Sequence, residues 1–175
     1  TEATQKVTIT KGSTGNRSYT AIWTKRVTIT FNSNGGSNVA SVTQDSGNTV
    51  TKPSDPTRAG YGFDGWYSDE DLETEYDFST KITKDITLYA KWTATNYTIT
   101  YDLDGGTVAT ANPTTYTIES ADITLTNPTR EGYGFAGWTG TDLTEATQKV
   151  TITKGSTGNR SYTATWTERV TITLN

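Results

Sequence analysis

The chain has no cysteine, no histidine and no methionine among its 175 residues, and only four prolines. Without cysteine there is no disulfide framework and no thiol nucleophile. Without histidine as well, zinc fingers and every triad that turns on an imidazole are excluded. Hydrophobic residues make up 31% of the chain, below the roughly 45–50% usual for globular proteins, so one large buried core is not expected. No run approaches the ~18 apolar residues of a membrane span, and no basic, apolar, small-residue signal segment opens the sequence. Membrane insertion within this segment is therefore not expected, and the missing initiator Met suggests a mature or excised piece. Fifteen basic against nineteen acidic side chains give a net charge of −4 and leave no electrostatic footprint for nucleic acid.

What the chain does have is threonine, 41 in all, with five Trp, ten Tyr and 16 Gly, arranged in repeats. Residues 1–32 return at 144–175 with only Ile22/Thr165, Lys25/Glu168 and Phe31/Leu174 different, a spacing of 143 residues. Inside that period lies a fainter repeat. GYGFDGW at 60–66 recurs as GYGFAGW at 132–138, each after Pro-Thr-Arg, and FNSNGG at 31–36 matches YDLDGG at 101–106. The sequence thus divides into the second half of a B unit (1–25), an A unit (26–94), a B unit (95–167) and the opening strand of a further A unit (168–175). Repetition at a fixed period implies stacked modules that help to bury one another's surface.

The secondary-structure signal is almost wholly strand. KVTIT, RVTITF, DITLYAKW, YTITYDL, TTYTI and ADITL alternate apolar residues with Thr at a period of two, the pattern of a half-buried sheet. The acidic stretch 69–77 fits a short helix start or a solvated loop equally well. Asn34-Gly35 and Asp104-Gly105 are suited to the positive φ of tight turns. Small β-modules of this size are marginal unless their neighbours contribute contacts.

The stretch from FNSNGG to DITLYAKW, with its Asn-Gly-Gly turn and its PTRAGYGFDGWY centre, resembles a Listeria–Bacteroides repeat, the B-repeat of internalin-type surface proteins. Unit B is similar to a second subtype that keeps PTREGYGFAGW and replaces the acidic loop with TGTDLTEAT. The resemblance covers nearly the whole chain. It implies a mainly β architecture of tandem small β-grasp-like (ubiquitin-like or SUMO-like) modules in an extended array. It also implies a secreted or cell-surface bacterial protein, extracellular in location, that serves adhesion or acts as a stalk.

Five tryptophans, Trp23, Trp66, Trp92, Trp138 and Trp166, together with Phe63, Phe135, Tyr61 and Tyr133, are expected to form the cores. Glycine among the rings would let them pack against bare backbone, and burying one such ring is worth roughly 2–3 kcal/mol. The alternative for the indoles is a sugar-stacking platform. Tyr67, Tyr76 and Tyr97 lie beside polar segments, so Tyr67 and Tyr76 with Asp69, Glu70 and Asp71 make up the candidate contact surface. Six carboxylates between 69 and 77 could attract Ca²⁺, but the EF-hand spacing is absent and a solvated loop is preferred. No metal or other cofactor is expected.

Catalysis is not expected either. Asp64, Asp69 and Glu70 are the candidate acids for a glycosidase pair, but unit B has Ala136 in place of Asp64 and lacks the acidic run. The glycine-rich stretches lack the Lys-Ser/Thr of a phosphate loop. The sequons at Asn16, Asn96 and Asn159 read as chance products of abundant Thr and Ser, and no isopeptide signature is evident. Three functions remain: a non-catalytic stalk or spacer of an adhesin-like protein, a glycan- or protein-binding adhesion module, and a self-assembling extracellular filament subunit. The corresponding partners are neighbouring repeats of the same chain, other copies of the chain, and a host or matrix protein or glycan. Charge is uneven, +3 over 1–25, −4 over unit A and −3 over unit B, so complementary ends are expected to add a weak, salt-sensitive attraction between modules. Residues 144–167 are expected to complete unit B, while 1–25 packs as an incomplete sheet on unit A, frays, or borrows strands from another molecule.

Overall fold

The computed structural model describes residues 6–170, which carry ten β-strands and no helix. They are β1 (Arg26–Asn32), β2 (Val42–Asp45), β3 (Tyr61–Tyr67), β4 (Ile86–Ala94), β5 (Tyr97–Asp102), β6 (Thr115–Tyr116), β7 (Ile123–Thr124), β8 (Tyr133–Gly140), β9 (Thr151–Ile152) and β10 (Arg160–Glu168). Two four-stranded sheets form, ordered β2-β1-β4-β3 and β6-β5-β10-β8, with β7 and β9 as a separate pair. Each sheet is mixed. The central pair, β1 with β4 or β5 with β10, is parallel, and the flanking strands are antiparallel to it. Residues 144–167 therefore contribute β10 to the sheet begun by β5.

Alternation in the sequence becomes burial in the sheet. Along β1, Val27, Ile29 and Phe31 are buried while Thr28 and Thr30 point away, as period-two pleating requires. Two separate cores result. One gathers Val27, Ile29, Phe31, Leu88 and Ala90 with Val50, Ile82 and Trp66. The other gathers Ile99, Tyr162 and Ala164 with Tyr116, Leu125, Val150, Ile152 and Trp138. In both, residues from connecting segments help to close the core. The stretch 69–77 forms turns and a bridge between Tyr67 and Glu75, so the loop reading holds over the helical one.

The GYGFxGW run owes its spacing to a bulge. Pairing of β3 with β4 skips Asp64, so that Phe63 faces Trp92 and Gly65 faces Lys91. The pairing of β8 with β10 shifts at the same place, between Thr165 and Trp166. Residues three apart on a regular strand lie on opposite faces; one unpaired residue restores parity. Phe63 and Trp66 thereby both reach the core, edge to face at 5.6 Å, as do Phe135 and Trp138 at 5.6 Å. Gly65 and Gly137 take φ of 132° and 148° at the bulge, a region that side chains avoid.

The Gly-Gly turns hold the second indole of each unit. Asn34 and Gly35 adopt φ of 46° and 85°, and Asp104 and Gly105 of 45° and 76°, as the turn reading required. The following glycines, Gly36 and Gly106, lie flat under Trp92 and Trp166, and a Cβ on either would overlap the indole. Trp92 Nε1 donates to Ser33 O at 2.9 Å, and Trp166 Nε1 donates to Leu103 O at 3.3 Å.

The N-terminal expectations require correction. Segment 6–25 carries no strand, and Trp23, expected in a core, is 90% exposed. Trp166 occupies the same place in its repeat and rests on residues as far as 63 positions earlier. No such turn lies over Trp23 among the described residues. Of the opening strand expected at 168–175, Glu168 instead ends β10, Arg169 and Val170 lie outside any strand, and 171–175 fall outside the described residues, as do residues 1–5.

Gly36→Ala and Gly106→Ala should each destabilise their own repeat by about 1–3 kcal/mol, the usual cost of forcing atoms into filled space. Gly62→Ala, where a Cβ would meet only Thr93 O at 3.9 Å, should change stability by less than about 0.5 kcal/mol. Thermal unfolding followed by tryptophan fluorescence would separate these outcomes.

Candidate functional site

The residues of the Pro-Thr-Arg-x-Gly-Tyr motif converge on the Gly-Gly turn. The Arg58 guanidinium lies 3.9 Å from the Tyr61 ring centroid and Arg130 lies 4.1 Å from that of Tyr133. Arg130 Nη1 also donates to Asp104 O at 2.9 Å and sits 3.4 Å from Asp104 Oδ2. Each arginine thus lies between turn and strand, held by cation–π attraction in both units and, for Arg130, by hydrogen bonds to Asp104 as well. Tyr61 and Tyr133, expected in the cores, lie instead outside both clusters, half-buried beneath these guanidinium groups. The Tyr61 hydroxyl donates to Glu119 Oε1 at 3.0 Å, a contact from unit A to unit B. That bond, and then desolvation, holds its proton above the ordinary tyrosine range.

The other aromatic candidates are distributed between core and rim. Trp66 and Trp138 are essentially inaccessible, at 1% and 0% exposure, which removes them from any stacking platform. Phe63, Phe135, Trp92 and Trp166 are half-buried and pack against the cores. Trp138 Nε1 donates to Asn127 Oδ1 at 3.1 Å, whereas Trp66 Nε1 is buried without a partner. Unit A has Asp55 where unit B has Asn127, and Asp55 pairs with Lys52 at 3.3 Å. Tyr67 carries Lys91 Nζ 4.6 Å above its ring. Tyr76 packs edge to face on Phe78 at 5.0 Å, its hydroxyl buried and unpaired, so it belongs to the core margin more than to the contact surface. Tyr97 packs at 5.5 Å from Tyr116.

The acidic candidates do not converge. Glu70 and Asp71 are exposed, while the Asp69 carboxylate accepts from Glu73 N at 2.9 Å and Thr74 N at 2.8 Å. Asp77 accepts from Ser79 N at 2.8 Å and from Ser79 Oγ at 2.6 Å. These carboxylates cap backbone amides, and no group of three or more potential metal ligands gathers among the described residues. Asp64 accepts from Thr93 Oγ1 across the bulge.

Sequence reasoning missed Arg160. Its side chain is 11% exposed, bonded through Nη1 to Asp142 at 2.7 Å and through Nε to the Tyr116 hydroxyl at 3.0 Å. Tyr116 in turn donates to Gly158 O at 2.6 Å. Burial opposes the charge on Arg160, but its bonds to Tyr116, Tyr162 and Asp142 outweigh that and keep it protonated. It borders a cavity of about 290 Å³ with Asp142, Lys149, Thr151 and Ser156. Asn159 of the same sequon accepts from Thr98 N at 3.0 Å, a structural use of the side chain. The tryptophans drew attention as a set, but nothing in the sequence marks one arginine among several as buried.

Hydrogen bonds from Glu73 N first, and from Thr74, draw the Asp69 pKa below its ordinary 3.8. A depressed carboxylate contributes stability that is present above the unfolded value and lost as pH falls through the folded one. The Glu73 and Thr74 amides should therefore lose their hydrogen-exchange protection as pH drops below 3.8, and Asp69→Asn should weaken it already at neutral pH. In the same loop Leu72 takes φ of 59°. A bulky residue there is strained. Leu72→Asn should raise the melting midpoint of unit A, by about 1 kcal/mol of stability, without adding charge to an acidic loop.

The comparisons with known proteins agree with this geometry. The sequence pattern of the Listeria-Bacteroides repeat domain matches residues 28–91 and 97–164, each match lying on one of the two sheets. Two proteins of Evansella cellulosilytica, one named as a membrane protein and the other as a Gly-rich membrane protein, are 38% and 37% identical over 112 residues. Those matches cover 63% of this chain but only 17% and 13% of the relatives. Internalin H of Listeria monocytogenes is 37% identical over 100 residues, 56% of this chain and 18% of that protein. The matched segment thus spans less than a fifth of each of these relatives. No helix among the described residues is long and apolar enough to cross a membrane. With both matches falling where the bulge, the Gly-Gly turn and the arginine bridge recur, the chain belongs to the Listeria-Bacteroides repeat family.

Proposed function

We propose that the chain is a non-catalytic spacer, a tandem repeat segment that extends a secreted or cell-surface bacterial protein away from its point of attachment. The observation that carries this reading is how the motif side chains are engaged. Arginine, tyrosine, tryptophan and glycine of each repeat hold a turn to a sheet, and the acidic loop caps its own amides. Each repeat is then a β-grasp-like module, on the strength of its parallel central pair and its β2-β1-β4-β3 order, with irregular segments in place of a helix. The lack of Cys and Met suits an oxidising exterior, where neither thiol nor thioether can be damaged.

A second reading, self-association through strand exchange, is favoured by segment 6–25. Val7, Ile9, Tyr19, Ile22 and Trp23 are all more than half exposed there. The same stretch recurs in unit B with Ile22/Thr165 and Lys25/Glu168 changed, and there it includes β10, paired between β5 and β8. An unpaired strand sequence invites addition to a partner sheet.

Small-angle scattering and a screen against glycan and matrix-protein arrays test the spacer. Rod-like scattering with no binding supports it; clear binding by the chain overturns it in favour of an adhesion module. Light scattering of the chain with and without residues 1–25 tests exchange, which fails if both forms stay monomeric at high concentration.

A further inference from the structure

The two repeats meet at the linker, where Thr95 N donates to Gly60 O at 2.9 Å, and through one turn of unit B. After β6, Ser120 N donates to Thr117 O at 3.1 Å and the Ser120 hydroxyl accepts from Thr117 N at 3.0 Å, closing a tight loop at 117–120. That loop carries Ile118 against Gly60 of unit A, so closely that a Cβ on Gly60 would meet Ile118 carbons at 2.6 and 2.9 Å. Beside it stands the 3.0 Å bond from Tyr61 to Glu119, with Arg58 stacked on the same tyrosine ring. An apolar side chain on bare backbone sets the separation of the repeats, and a directional hydrogen bond opposes their rotation.

The opposite joint, from a B unit to the A unit after it, has the socket without the key. In the sheets Val27 pairs with Gln44 as Tyr97 pairs with Tyr116, so Ile118 and Glu119 correspond to Ser46 and Gly47 in unit A. At those two positions an A unit offers neither an apolar side chain nor a carboxylate; the carboxylate beside them, Asp45, lies 3.7 Å from Arg26 Nη1 of its own unit. The socket of unit B is formed: Gly132 takes the same φ of 77° as Gly60, and Arg130 stacks on Tyr133. The linkers differ too. Trp92 and Tyr97 are five positions apart, whereas Trp23 and Val27, and Trp166 and Val170, are four apart. Removing one residue from an extended segment turns every later side chain to the other face, so the two joints cannot present the same surfaces.

We propose that Ile118 and Glu119, seated on Gly60 and Tyr61, lock each A unit to the B unit after it, and that the B-to-A joint lacks this lock, so the array bends at every second joint. The lock holds whether the array is a spacer or an adhesive surface.

Residual dipolar couplings and ¹⁵N relaxation of the full chain test it. The two repeats should share one alignment tensor and one tumbling time; two independent tensors would overturn the proposal. Two variants give the A-to-B joint what the B-to-A joint has: I118S with E119G transplants the turn of unit A, and deletion of Asn96 shortens the linker by one residue. Either should split the common tensor into two while each repeat keeps its own hydrogen-exchange protection. A common tensor persisting in a variant whose repeats are both folded would overturn the role of the group that it removes.

Discussion

The single unpaired residue in the middle of each G-F-x-G-W run constrains the rest of the repeat. A phenyl ring and an indole three positions apart can share a face only if the pleat is broken between them, and the glycine that follows supplies the backbone freedom to break it. Once both rings lie inside, the strand-ending tryptophan closes over the phenyl ring, with Phe63 and Trp92 5.4 Å apart and Phe135 and Trp166 5.6 Å apart. That indole in turn demands a residue without a side chain beneath it, which the second glycine of the turn provides. Core, turn and arginine bridge therefore depend on one another. This suits a module that is too small to tolerate a loose element.

Units A and B solve the same packing problem with different residues at equivalent places. Asp64 bonds across the bulge where Ala136 has nothing to offer. Arg160, held by Asp142, stands in the register that Ile86 takes in unit A. Trp66 leaves its N–H unpaired where Trp138 finds Asn127. The differences lie around a shared framework of sheet order and ring geometry, and they make the ends of the two units unlike. In an array of alternating units, unlike ends make unlike joints.

Much of this was legible in the sequence because it is periodic. Alternation of Val, Ile and Phe with Thr marked the central strands, and Asn-Gly and Asp-Gly marked the turns by the conformation that those residues favour. The two inaccessible indoles, Trp66 and Trp138, follow from apolar area alone. What misled was position within the repeat. Trp23 sits in nearly the same local sequence as Trp166, yet only Trp166 is covered, by a turn 63 positions upstream of it. Tyr61 and Tyr133 read as core rings but lie under arginines, because the bulge directs Phe63 and Trp66 inward and leaves the tyrosine at the strand's start.

By itself the sequence determined the repeat period, the all-β character, the exclusion of thiol and imidazole chemistry, and the membership of the family, since each follows from which residues are present and how they are spaced. Only the tertiary structure decided which glycine lies under an indole and which sits at a bulge, that Arg160 is buried against Tyr116, and that one turn of the second repeat rests on the first. These are contacts between residues dozens of positions apart. Their existence depends on how strands pair in space, and local spacing carries no record of that.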